Sequence, residues 1–306
     1  VAVATSNKIM TRGLIALIAL IALVLTHAAA GAAPCPGNPD ALGTERVLAV
    51  DAQATPRVGR KHFSVTLPLA PKEVVLTFDD GPWPDTTGRV LDALRRECVK
   101  ASFFVLGRHA LAYPAILRRV LAEGHTIGHH TFAHPLLNRL PVAVAEAEID
   151  RGIAAVETAL YGHVDSPPVT PFFRFPGFAS SPALLDRLAQ RGIVVFGADL
   201  WASDWNVMSP AEELDHVMAR LQASGGGVVL FHDTKNQTAA MLPAFLRELK
   251  RQGYRVVHAV PAGRWPPPVP MLTNSPHPAP KTVPGRRKPV DRYRANATLI
   301  CCSVLY

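Results

Sequence analysis

"VVLTFDDGPWPD", residues 74–85, decides how the rest of the chain reads. An apolar run of strand formers ends on two adjacent carboxylates, Asp79 and Asp80, and Gly81-Pro82 stops it. A strand this continuously apolar is buried on both faces, as in a parallel sheet covered by helices. Two like charges at its end repel each other. The stretch is therefore either a solvated turn or a place where a cation gives the two carboxylates different roles.

Outward from it the same pattern recurs, with "SFFVLG", "HTIGHHT", "FFRFP", "IVVFGAD", "GVVLFHD" and "YRVVHAV" as further strands. Helical periodicity falls between them, at about residues 86–97, 109–123, 141–160, 182–191, 210–223 and 239–252. "SPALLDRLAQRG" carries its own punctuation: Ser181 as N-cap, Pro182 in the first turn, Gly192 at the exit. Alternating strands and helices predict an α/β fold built on a parallel sheet. Periodicity alone fits a closed barrel and an open doubly wound sheet equally well.

The ends differ from this body. Residues 1–30 combine Arg12, an apolar stretch and small residues near Ala30, the pattern of an export signal, and too short an apolar run for a membrane span. Residues 31–73 read as an N-terminal segment packing on the body, residues 74–260 as the catalytic domain, and residues 261–306 as a Pro-rich, basic, disordered tail. The net charge of +8 belongs to these ends, because the signal carries +2 and the tail +6. Residues 31–260 are balanced, which argues against a nucleic-acid partner. Export leads to a secreted or periplasmic protein, with no stable membrane span after cleavage. In that compartment Cys35 and Cys98 either form a bridge or remain as two buried thiols.

Polar residues gather where the strands end, and in parallel α/β folds those ends share one rim. His130 and His134 in "HTFAH" are four apart, a spacing that on a helix puts two imidazoles on one face to hold a divalent metal; the bland alternative is a structural pair. Thr131 stands where a metalloprotease carries its glutamate, so a base must come from elsewhere. The Asp79-Asp80 pair supplies one carboxylate as ligand and one as base on a metal-activated water. His232, at another strand end, suits a general acid. Arg174 needs a carboxylate partner, and Trp201 and Trp205 beside Asp204 suit the wall of a sugar subsite.

Together, "TFDDGP", "HTFAH", "RFPGF", "SDW" and "LFHDT" make the chain resemble the polysaccharide deacetylases, the NodB-like carbohydrate esterases, over roughly residues 72–260. The resemblance implies a distorted parallel (β/α) barrel of about seven strands. It implies a metal-dependent hydrolase, with zinc first among the divalent ions, that removes acetyl groups from N-acetylated or O-acetylated sugars of a polysaccharide and acts as a monomer. Carried over, Asp79 is the base and Arg174 orients it. Asp80, His130 and His134 are the metal ligands, His232 is the acid, and Trp205, Gly177 and Asp204 are on the substrate side. Two positions depart from the family pattern. Trp201 stands where an aspartate often accompanies the acid histidine, leaving Asp199 or Asp204 to replace it. Gly177 stands where tyrosine is frequent, with its backbone amide still available to polarise an acetyl carbonyl. A catalytically silent carbohydrate-binding protein on the same scaffold is the alternative.

Overall fold

The computed structural model describes residues 35–263 and Trp265, so the signal segment and most of the tail lie outside the described residues. In chain order the elements are β1 (Arg46–Val50), β2 (Arg57–Val58), β3 (Glu73–Asp79), α1 (Thr86–Arg96), β4 (Ser102–Val105), α2 (Gly107–Ala112), α3 (Pro114–Ala122) and β5 (Thr126–His129). They continue with α4 (Val142–Tyr161), β6 (Phe172–Phe173), α5 (Pro182–Gln190), β7 (Val194–Phe196), β8 (Leu200–Trp201), α6 (Pro210–Ser224), β9 (Gly227–His232), α7 (Asn236–Arg251) and β10 (Arg255–Pro261). Every strand pairing is parallel.

The strands follow each other as β8-β9-β3-β4-β5-β6-β7, the distorted parallel barrel implied by the resemblance, which periodicity alone could not choose over an open sheet. The distortion has a local cause: β2 occupies the outer edge of β7, so β7 and β8 do not pair and the ring is interrupted there. β10 joins only the first residues of β3 and carries β1 on its other edge. All seven strands read from the sequence are present. β1, β2 and β8 were not read, and β2 and β8 are two-residue pairings with no periodicity to detect.

Period-two alternation sorts the strand side chains into two cores. On β3, Val74, Leu76 and Phe78 pack outward with Phe103, Phe231, Leu242 and Phe245 under the helices. Val75 points inward and joins Phe104, Phe172, Phe196 and Val228. A third apolar cluster, with Ile149, Ile153, Phe173 and Leu184, seals α4 and α5 against β6 and β7. Fully burying an aromatic or aliphatic side chain contributes about 1.5–3 kcal/mol, so these layers fix strand register firmly. Cys35 and Cys98 form a disulfide, tying the start of the described chain to the residues after α1.

Candidate active site

The alternation that builds the inner core also builds the site. Val75 faces inward on β3, and two steps of two reach Thr77 and Asp79. Phe172 on β6 faces inward, and the next inward position is Arg174. On β9, Val228 leads in the same way to His232. On β5, His129 faces outward, its Nε2 3.8 Å from Glu157 Oε1 of α4, and His130 turns inward. Asp79, His130, Arg174 and His232 therefore meet at the C-terminal rim, although 153 residues separate the first from the last.

Asp80 would by the same rule point away, but its backbone takes φ 79°, which returns the carboxylate to the rim. Three neighbours hold that turn. His109 Nδ1–H donates to the Asp80 carbonyl at 2.7 Å, the Gly81 amide donates to Asp233 Oδ1 at 2.9 Å, and Thr87 donates to Asp233 Oδ2 at 2.6 Å. A methyl group at Gly81 would lie 2.0 Å from Asp233 Oδ2, so only glycine fits.

Asp80 Oδ1 lies 3.6 Å from His130 Nε2 and 3.5 Å from His134 Nε2. The three residues offer ligand atoms all within 4.8 Å of one another. A tetrahedral ion with ligands at about 2.0–2.2 Å holds its ligand atoms roughly 3.4 Å apart, so the cluster has the right span. Asp80 Oδ1 is also buried without a hydrogen-bond partner, a costly state for a carboxylate oxygen that a cation would relieve. His130 Nδ1–H donates to the Arg174 carbonyl at 2.8 Å, which leaves the Nε2 lone pair facing the cluster. Burial pushes the His130 imidazolium down to about 3, Asp80 only partly opposing it, so the ring is neutral at any working pH. The two histidines do not share a helix face as their spacing suggested. They sit in the loop after β5, where Thr131 and His134 both take φ 68° and the Thr131 hydroxyl accepts the His134 amide at 3.0 Å.

Asp79 is almost completely buried, and Arg174 clamps it: Nη1 donates to Asp79 Oδ1 at 2.6 Å and to Thr77 Oγ1 at 2.9 Å. The remaining guanidinium donors reach the Phe196 and Gly197 carbonyls at 3.2 and 2.9 Å, and the Phe104 ring lies 4.2 Å away. Those carbonyls follow β7 where the ring of strands is interrupted, so one arginine both closes the gap and fixes the carboxylate. Asp79 Oδ2 stays free, 3.8 Å from His130 Nε2. Burial raises the Asp79 pKa, with Arg174 the main opposing influence, which suits a group that must accept a proton.

On the adjacent strand β9, where His232 is the register partner of Asp79, His232 Nδ1 lies 2.7 Å from Asp204 Oδ1, and the His232 amide donates to Asp204 Oδ2 at 2.6 Å. Burial alone would depress the imidazolium; the charge and hydrogen bond of Asp204 outweigh it and lift His232 to about 9. The placement of Asp204 on the substrate side is corrected here. Its side chain is fully buried behind His232, where it can touch no sugar. Asp199 is committed elsewhere, to Arg60, Thr66 and the Val228 amide. Trp205 is 47% exposed and stands perpendicular to the His232 ring at 6.0 Å, and Gly177 takes φ 54° in the turn after β6. His109 and Asp233, neither of them assigned a part in the site from sequence, both shape the Asp80 turn. Their side chains act through the backbone, which leaves no signature in residue spacing. A groove of about 900 Å³ opens beside Asp80 and His134 and is lined by Trp83, Arg108, His109 and Tyr113.

The polysaccharide deacetylase family profile matches residues 67–196. A peptidoglycan-N-acetylglucosamine deacetylase of Listeria monocytogenes is 32% identical over 72% of this chain and 46% of its own length. A peptidoglycan-N-acetylglucosamine deacetylase of Bacillus cereus is 34% identical over 62% of this chain and 88% of its own. Among solved structures, a peptidoglycan deacetylase of Bdellovibrio bacteriovorus superposes with a TM-score of 0.63 at 35% identity, covering 71% of this chain and 59% of that one. The chain thus spans about half the length of the Listeria relative and most of the Bacillus one.

Proposed function

The chain belongs to the polysaccharide deacetylase family, and from that premise we propose that it hydrolyses acetyl groups from N-acetylated sugars of a polysaccharide, with a divalent metal held by Asp80, His130 and His134. One observation carries this reading: Asp80 Oδ1 is buried without a hydrogen bond between two imidazole nitrogens, directly beside an arginine-clamped carboxylate. The nitrogen-rich, three-ligand set suits zinc with open positions left over. The export-signal pattern of residues 1–30 supports action outside the cytoplasm, and the activities named for the relatives support peptidoglycan or a chitin-like glycan as substrate. Among the described residues no helix is long and apolar enough to cross a membrane. The working unit in this proposal is a monomer.

When bound, the ion supplies an acidified water and polarises the acetyl carbonyl. The free Oδ2 of Asp79 would accept the proton of the attacking water, while Arg174 holds Oδ1 and keeps the carboxylate from rotating away. The Gly177 amide is the candidate donor to the acetyl oxygen as negative charge develops there. His232, charged up to about pH 9 and paired with Asp79 in the register of β3 and β9, delivers a proton to the departing sugar nitrogen. Trp205 walls the sugar against His232.

The test is acetate release from peptidoglycan fragments, chitin oligomers and acetylated xylan, with and without a chelator. We expect release that the chelator abolishes and added zinc restores. Asp79→Asn should lower turnover by about 10²–10⁴-fold while metal content stays at the wild-type level. Chelator-insensitive release, or full activity in the variant, contradicts the assignment; glycan binding without acetate release identifies a silent binding protein.

A further inference from the structure

Behind His232 and Asp204 lies a second buried carboxylate that the reaction above does not use. Glu213, in the first turn of α6, and Thr238, in the first turn of α7, are both fully buried. The Thr238 hydroxyl lies 2.9 Å from Asp204 Oδ2 and 2.9 Å from Glu213 Oε1. A hydroxyl has one hydrogen, so it can donate to only one of these two acceptors. If both carboxylates were ionised, the other contact would set lone pair against lone pair in a fully buried site, a repulsion on top of two close negative charges. A second proton must therefore sit on one of them.

The surroundings decide which. Asp204 already accepts from the His232 amide and faces the His232 ring through Nδ1, the environment of an anion. Glu213 has Thr238 as its one contact through Oε1, and its Oε2 is buried with no hydrogen bond. An ionised Glu213 would leave a charged oxygen unsolvated, whereas an acid group leaves only a carbonyl oxygen. Burial, followed by the charge of Asp204, raises Glu213 to about 7, in agreement with the hydrogen count.

We propose that Glu213 is a positioning residue for the general acid: protonated at Oε1, it donates to Thr238, and the Thr238 hydroxyl donates to Asp204, aiming that carboxylate at His232 Nδ1. Donation runs from Glu213 to Thr238 and from Thr238 to Asp204, and the anionic Asp204 accepts on its other side from His232 Nδ1–H and the His232 amide. Without Glu213 as donor, the Thr238 hydroxyl is free to turn back toward the Thr234 or Lys235 carbonyl, three or four residues earlier, as threonines in helices do. The inference rests on the assignment of His232 as acid, but the protonation of Glu213 is measurable without turnover.

Three variants of the metal-loaded, full-length protein test it. The infrared difference between wild type and Glu213→Gln at neutral pH should show the carbonyl band of a protonated carboxylic acid lost in the variant. Glutamine is neutral and keeps a donor, so kcat should stay within about twofold of wild type. Thr238→Val should lower kcat about tenfold with KM unchanged, the loss of one hydrogen bond to a charged acceptor, and Thr238→Ser should restore it. Loss of a carboxylate band instead, a large fall in kcat for Glu213→Gln with an unchanged melting temperature, or wild-type kcat in Thr238→Val overturns the proposal. Should the wild type release no acetate from any glycan, the general-acid assignment falls, and the infrared difference still decides the state of Glu213.

Discussion

Asp80 shows how one backbone angle converts a sequence pattern into a site. Neighbouring strand residues face opposite ways, so "DD" places two carboxylates on one rim only because φ at Asp80 is positive and Gly81 lets Asp233 come within hydrogen-bond reach. Gly81→Ala should displace that turn and weaken divalent-metal binding at least about tenfold while Asp79 and Arg174 remain paired; chelator competition reads it, and unchanged affinity contradicts the role given to the turn. The adjacent carboxylates themselves were legible from their repulsion, but the residues bracing them were not. Asp204 was read both as a companion of the acid histidine and as a substrate-side residue, because spacing along a loop does not say which of its residues is buried; its contact with His232 Nδ1 agrees with the first. Its burial has a pH consequence. Asp204 holds His232 above the ordinary imidazole range, and an acid must be protonated to act, so Asp204→Asn should move the alkaline limb of the kcat profile to lower pH by roughly one unit or more. An unmoved limb would show that His232 is not the group titrating there.

At the level of elements, the long buried strands β3, β4, β9 and β10 and the capped helix α5 were readable because each carries its own periodicity or punctuation. What failed were features with no period. The helix expected across residues 109–123 is two, α2 and α3, because Pro114 cannot continue α2 and starts α3 instead. The His130–His134 spacing was legible as a metal pair, yet its helical rationale was wrong: a loop with two left-handed residues reaches the same arrangement. The Cys35–Cys98 bridge secures the start of the described chain, which leads into β1, against α1 and closes a loop of sequence separation 63. Replacing both cysteines by serine should lower stability by about 2–4 kcal/mol in chemical denaturation, because the unfolded chain regains that loop's freedom. A variant as stable as wild type would mean that native contacts alone hold the segment.

Across the whole molecule, a neutral body, a dry inner core and a charged rim divide the labour of folding and chemistry. Several imidazoles are buried away from the rim, and His258 is the simplest, its Nε2 2.9 Å from Thr126 Oγ1. Burial, helped by Lys100, pushes it down to about 4. Its contribution to stability is complete above the unfolded value near 6.5 and is lost as pH falls from 6.5 toward 4, by up to about 1.4 kcal/mol per pH unit. Buried Glu157 and Glu213, raised to about 7, act with the opposite sign over an overlapping window, so the wild-type profile alone is ambiguous. The stability difference between wild type and His258→Asn should shrink as pH drops from 6.5 to 4.5, and a constant difference contradicts the burial of a neutral ring. The account as a whole depends on where a metal binds. Anomalous diffraction from a zinc-soaked crystal measures that directly: one peak is predicted at about 2.0–2.2 Å from His130 Nε2, His134 Nε2 and an Asp80 carboxylate oxygen, with Asp79 outside the ligand set. A peak elsewhere, or none at these three residues, would contradict it.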